Sequence, residues 1–128
     1  MLLYGASTAR DEADKHATAL SILDRDDVVL SAQVLQEFYV QATRPTKADP
    51  LAHDSAVSLI ESWLRFRVIE TTAPLVQQAL ATAARWQVSY WDAAIVEAAR
   101  IGNCPVVLSE DLQPGMNFAG VTMQNPFA

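Results

Sequence analysis

Glu37, Asp92 and Asp111 are carboxylates that each fall where an apolar, strand-like run meets a helix. Glu37 sits on the second turn of the helix that follows Asp27-Val28-Val29-Leu30-Ser31, and Asp92 opens a helix at Ser89-Tyr90-Trp91-Asp92. Asp111 comes just after the run Cys104-Pro105-Val106-Val107-Leu108 and the hydroxyl of Ser109. In open parallel α/β sheets, ligands sit outside the carboxyl ends of the strands. Such a placement draws scattered carboxylates into one pocket, and a pocket of hard oxygen donors suits a divalent cation such as Mg2+ or Mn2+.

The elements that must position these groups follow from periodicity. Residues 27–31 are too short and too apolar for a surface helix and read as a core strand. From Ser31, a plausible N-cap, Val34, Leu35, Phe38 and Ala42 recur at helical spacing. Upstream, Ala13, Ala17, Leu20 and Leu23 form the stripe of a helix over residues 14–23. Two prolines, Pro45 and Pro50, mark a loop, and residues 53–66 are helical, followed by a short strand at 67–71. Pro74 suits a first helical turn, and Leu75, Ala79, Leu80 and Ala83 carry that helix to about Trp86. In the Asp92 helix Trp91, Ala94, Ile95 and Ala98 form the apolar stripe, and Gly102 is the expected glycine cap. Strands at 104–108 and 121–124 close the chain, separated by the turn-rich run Gln113-Pro114-Gly115-Met116-Asn117. Alternating strands and helices predict an α/β fold of three layers, a mainly parallel central sheet flanked by helices.

Composition bounds the rest. A chain of 128 residues without a Gly/Ser-rich break is read as one domain over residues 1–128. With 51% hydrophobic residues it can fill a core without a disulfide or a structural metal. The one cysteine, Cys104, opens an apolar strand and reads as a small core residue, which fits a reducing cytoplasm. No apolar run reaches about eighteen residues, the length expected of a membrane span. The net charge of −6 disfavours a grip on nucleic acid by charge alone, so metal ions must supply part of the positive charge if the chain acts on nucleic acid.

Three segments in order, Leu30-Ser31-Ala32-Gln33-Val34-Leu35-Gln36-Glu37-Phe38, Ser89-Tyr90-Trp91-Asp92-Ala93-Ala94-Ile95 and Val107-Leu108-Ser109-Glu110-Asp111-Leu112, resemble the PIN-domain nucleases, and within them the VapC-type toxins of toxin and antitoxin pairs. The resemblance implies a Mg2+- or Mn2+-dependent endoribonuclease acting on RNA, a homodimer, and a cognate antitoxin whose tail covers the acidic pocket. It makes Glu37, Asp92 and Asp111 the metal-binding and catalytic acids, and Ser109 the hydroxyl that ends the strand before Asp111. Glu110 is a further candidate. The family has one more acid, in an Asp-Thr-Asn-type motif at the end of its first strand. Leu2-Leu3-Tyr4-Gly5-Ala6 looks like the segment that follows that motif, so the expectation is a chain that starts late, with the first strand and its acid absent.

Phosphodiester hydrolysis needs an activated water aimed in line with the leaving oxygen and neutralisation of phosphate charge, which divalent ions supply. Taken singly, each residue has a plainer reading. Glu37 has polar neighbours and could be a solvated helix residue, Asp92 could complete a capping box with Ser89, and Asp111 could be a strand-end turn residue. In motif context the metal reading prevails. His16 and His53 lack a partner at zinc spacing and read as surface residues. Arg44, Lys47, Arg65 and Arg67 could touch a phosphate backbone, and Tyr39, Tyr90 and Trp91 could stack on a single-stranded base, although aromatic residues beside core stripes usually pack inside. The alternative function is a degenerate, non-catalytic PIN module that binds a partner or RNA.

Overall fold

The computed structural model describes residues 21, 24, 27–45, 50–109 and 115–124. The expected helix at 14–23 falls almost entirely outside the described residues, as do the apolar start at 1–8, His16 and Lys47. The described elements run β1 (Val29–Ser31), α1 (Ala32–Ala42), α2 (His53–Trp63), β2 (Arg67–Ile69), α3 (Ala73–Trp86), α4 (Tyr90–Ile101), β3 (Val106–Leu108) and β4 (Thr122–Gln124). This is the mixed α/β alternation that periodicity predicts. None of the described helices is long and apolar enough to cross a membrane.

Contacts divide the chain into two compact units, residues 1–30 with 34–68, and residues 31–33 with 69–128. The first has its own core, in which Leu30, Leu35, Phe38 and Ala42 meet Ala56, Trp63 and Phe66. On α1 the three- and four-residue spacing of Leu35, Phe38 and Ala42 puts them on one stripe, and the Phe38 and Trp63 rings meet edge to face at 4.7 Å. Helix α2 ends at Trp63, three residues short of the expected end at 66. Phe66 is still buried, but it packs from a turn in which its N–H donates to the Trp63 carbonyl at 3.0 Å. The apolar period therefore outlasts the helix. β1 and β2 are neighbours in a two-stranded sheet. β2 stops at Ile69 rather than 71, and Thr72 is the N-cap of α3, its hydroxyl accepting from the Leu75 N–H at 3.3 Å.

The second unit is built on the pair α3 and α4, which pack against each other. Ala79, Ala93 and Ala94 are buried, and small side chains permit close approach of two helices. α4 ends at Gly102 as expected, but with a different chemistry. Gly102 has an ordinary φ of −79°, and the left-handed residue is Asn103 at φ 56°. Space at 102 is tight, since a Cβ there would come 3.3 Å from Ile69 Cδ1 and that side chain would have to give by a few tenths of an ångström. β3 and β4 pair in parallel with Val107 opposite Met123, over a core of Val96, Ala99, Val107, Phe118, Val121 and Met123. Cys104 packs at the edge of that cluster, half-buried, as its reading as a small core residue requires. Before β4 the chain folds back on itself. The Phe118 N–H donates to the Val121 carbonyl at 2.8 Å, and the two residues between them have positive φ, Ala119 at 54° and Gly120 at 104°.

Candidate active site

Asp92 occupies the first turn of α4, where the Ser89 hydroxyl accepts its backbone N–H at 3.1 Å. The Ser-x-x-Asp spacing thus does the helix-starting work expected of it and leaves the Asp92 carboxylate available for other chemistry. That side chain is half-buried, and among the described residues no side chain pairs with its carboxylate. The turn is held from the side as well. Gln33, itself buried, donates from Nε2 to the Trp91 carbonyl at 3.2 Å.

Ser109 follows β3 directly, half-buried, and its N–H donates to the Gln124 carbonyl at 3.0 Å, so the parallel pairing with β4 fixes where the strand ends. Asp92 and Ser109 belong to the same compact unit, whereas Glu37 lies on α1 in the other and is exposed. Asp111 and Glu110 lie outside the described residues. Among the described residues no three His, Cys, Asp or Glu side chains are grouped closely enough to hold a metal ion. The donor chemistry nevertheless fits one. The carboxylates named from sequence are hard oxygen donors of the kind Mg2+ and Mn2+ take, these ions keep several waters of their own, and Asp92 has no described cation neutralising it.

The other sequence candidates take plainer places. His53 is exposed and its Nδ1 lies 2.9 Å from the Tyr39 hydroxyl. Arg44, Arg65 and Arg67 are exposed, and Arg65 covers the Phe66 ring at 4.3 Å. A shallow cleft of about 530 Å3 on α1 and α2 is lined by Leu35, Gln36, Tyr39, Val40 and Ile60, which offer no carboxylate. Trp91 departs from its expected place on the apolar stripe. Ala94 and Ala98 are buried, but Trp91 is 63% exposed.

A polar network that periodicity did not reveal stands behind Asp92 on the same helix. Glu97 is only 4% exposed, and its carboxylate accepts from the Thr82 hydroxyl at 2.8 Å and from Arg100 Nε at 3.0 Å. Arg100 also donates to the carbonyls of Phe118 at 2.7 Å and Ala119 at 3.0 Å. The three residues pin α3, α4 and the turn before β4 together. The available signal was the i,i+3 spacing of Glu97 and Arg100, with Glu97 set among alanines and valine.

A family model described as PIN domain matches residues 4–114 of the chain. No curated protein matches it.

Proposed function

The chain belongs to the PIN-domain family, whose members are in general metal-dependent nucleases, and from that premise we propose that it is an endoribonuclease that hydrolyses RNA phosphodiester bonds with Mg2+ or Mn2+. The observation that carries the proposal is the Asp92 carboxylate, half-buried on a capped helical turn and without a described partner. Asp92 and Asp111 would hold the metal, and Glu37 would be a further ligand or orient the attacking water. When bound, the ion neutralises phosphate charge and lowers the pKa of a coordinated water. The Ser89 cap fixes the backbone of the turn that carries Asp92, and Ser109 stands at a strand end fixed by β4. The motifs around Glu37, Asp92 and Asp111 also support a role as the toxin of a toxin and antitoxin pair, acting as a homodimer in the cytoplasm.

The test pairs cleavage with metal binding. Wild-type protein should cut a single-stranded RNA in Mg2+ or Mn2+ and stop in EDTA. Asp92→Asn should lower the cleavage rate by about 100-fold or more, in the range for loss of a charge-stabilising group at a reacting centre, and should weaken Mn2+ binding in calorimetry. Circular dichroism should be unchanged. A folded wild type that neither binds Mn2+ nor cuts RNA would make the chain a non-catalytic PIN module.

A further inference from the structure

The apolar period of α4 assigns Trp91 to the buried stripe, yet its indole is 63% exposed while Ala94 and Ala98 are covered. Its backbone is also anchored. Its backbone carbonyl accepts from buried Gln33, the turn is capped by Ser89, and the ring meets that of Tyr90 at 5.1 Å with planes 78° apart. With nearly two thirds of the residue in water, at least one π face is open. The next residue in the chain is Asp92. Consecutive helical residues are about 3.8 Å apart at Cα, so a phosphate that a cation held by Asp92 would bind lies close to Trp91, although the two side chains leave the helix in different directions.

Charge argues for what that face meets. With a net charge of −6 the chain is poorly supplied for holding a polyanion by side-chain phosphate contacts, so beside any metal ion a source of affinity that salt does not screen gains weight. Stacking on an aromatic ring is such a source, and it requires an unpaired base, because a base inside a duplex has no free face. Resting on the nuclease reading above, we propose that the Trp91 indole is the stacking platform for an unpaired base beside the phosphate cleaved at the Asp92 site.

The experiment titrates a fluorescein-labelled single-stranded RNA of mixed sequence into the full chain with Ca2+ in place of Mg2+ or Mn2+, the RNA checked by gel to be uncut, at several salt concentrations. Trp91→Ala should weaken binding by about 5- to 150-fold, the range for removing one stacked base, and by the same factor at every salt concentration. Trp91→Phe should retain most of the affinity. Among oligonucleotides carrying a single abasic site, one position should weaken wild type but leave Trp91→Ala unaffected. The tryptophan quench on binding should be largely lost in Trp91→Phe, since Trp63 is 4% exposed and Trp86 is partly buried against Phe118. Equal affinities for wild type and Trp91→Ala, in a protein that does cut RNA, would overturn the stacking role and leave the nuclease reading standing. A wild type that neither binds nor cuts any single strand would overturn both. If Trp91→Ala turns a dimer into a monomer by light scattering while each chain keeps its RNA affinity, the indole serves an interface between copies and the proposal fails.

Discussion

Removing the Arg100 guanidinium would leave the Glu97 carboxylate, 4% exposed, with only the Thr82 hydroxyl to satisfy it. Because Arg100 itself is partly exposed and water can enter in its place, Arg100→Ala is expected to cost about 2 to 3 kcal/mol in urea denaturation, below the full value for breaking a buried pair. Thr82→Val removes one hydrogen bond to a charged acceptor and should cost roughly 1.5 kcal/mol. If Arg100→Ala is neutral, the network is ornamental and Glu97 finds water instead. At this scale the sequence is legible where a residue acts on its own neighbours and obscure where it acts at a distance. Ser89 caps α4 and Thr72 caps α3 through bonds only three residues long. The Glu97 partner Thr82 lies fifteen residues away and the Gln33 contact to Trp91 fifty-eight, separations that no local pattern encodes. Asp92 could be named from its motif, but its lack of a described partner could not.

The turn from Phe118 to Val121 offers a test of an element. Ala119 has φ 54°, a left-handed conformation that costs an L-residue with a Cβ roughly 1 kcal/mol, and Gly120 follows at φ 104°. Two consecutive positive φ values are what an Asn-Gly pair adopts most readily in a two-residue hairpin loop. Ala119→Asn should therefore raise stability by about 0.5 to 1 kcal/mol, read as an increase in Tm, because the Arg100 bond to residue 119 is to its backbone carbonyl and survives the change. A lower Tm would mean that the Asn side chain disturbs that contact. The elements themselves were largely readable, since α1, α3 and β3 come from apolar spacing and proline position. Their ends were less so. Phe66 keeps the apolar period beyond the end of α2, and β2 ends at Ile69, two residues short of the expected 71, shortly before Thr72 caps α3.

For the molecule as a whole, nine Lys and Arg against fifteen Asp and Glu set how RNA can be held. The logarithm of the binding constant should fall with the logarithm of salt concentration no more steeply than about −2, the slope for roughly three phosphate contacts on a single strand. A slope near −5 in filter-binding titrations would instead reveal a basic track that the overall charge conceals. The α/β class was legible from the alternation of elements across the chain, whereas the division into two cores was not, because burial patterns within each helix do not say which cluster a helix joins. The turn at 118–121 also bears on the route by which the chain reaches this state. Its contacts, Phe118 to Val121 and Met116 to Met123, close over a few residues, and hairpins of that size form in about 1 to 10 microseconds. β4 can thus be presented as a preformed edge to which β3 adds later, across a longer loop. If so, a better turn speeds refolding and leaves the unfolding rate almost untouched, and a stopped-flow comparison of Ala119→Asn with wild type would read that order directly.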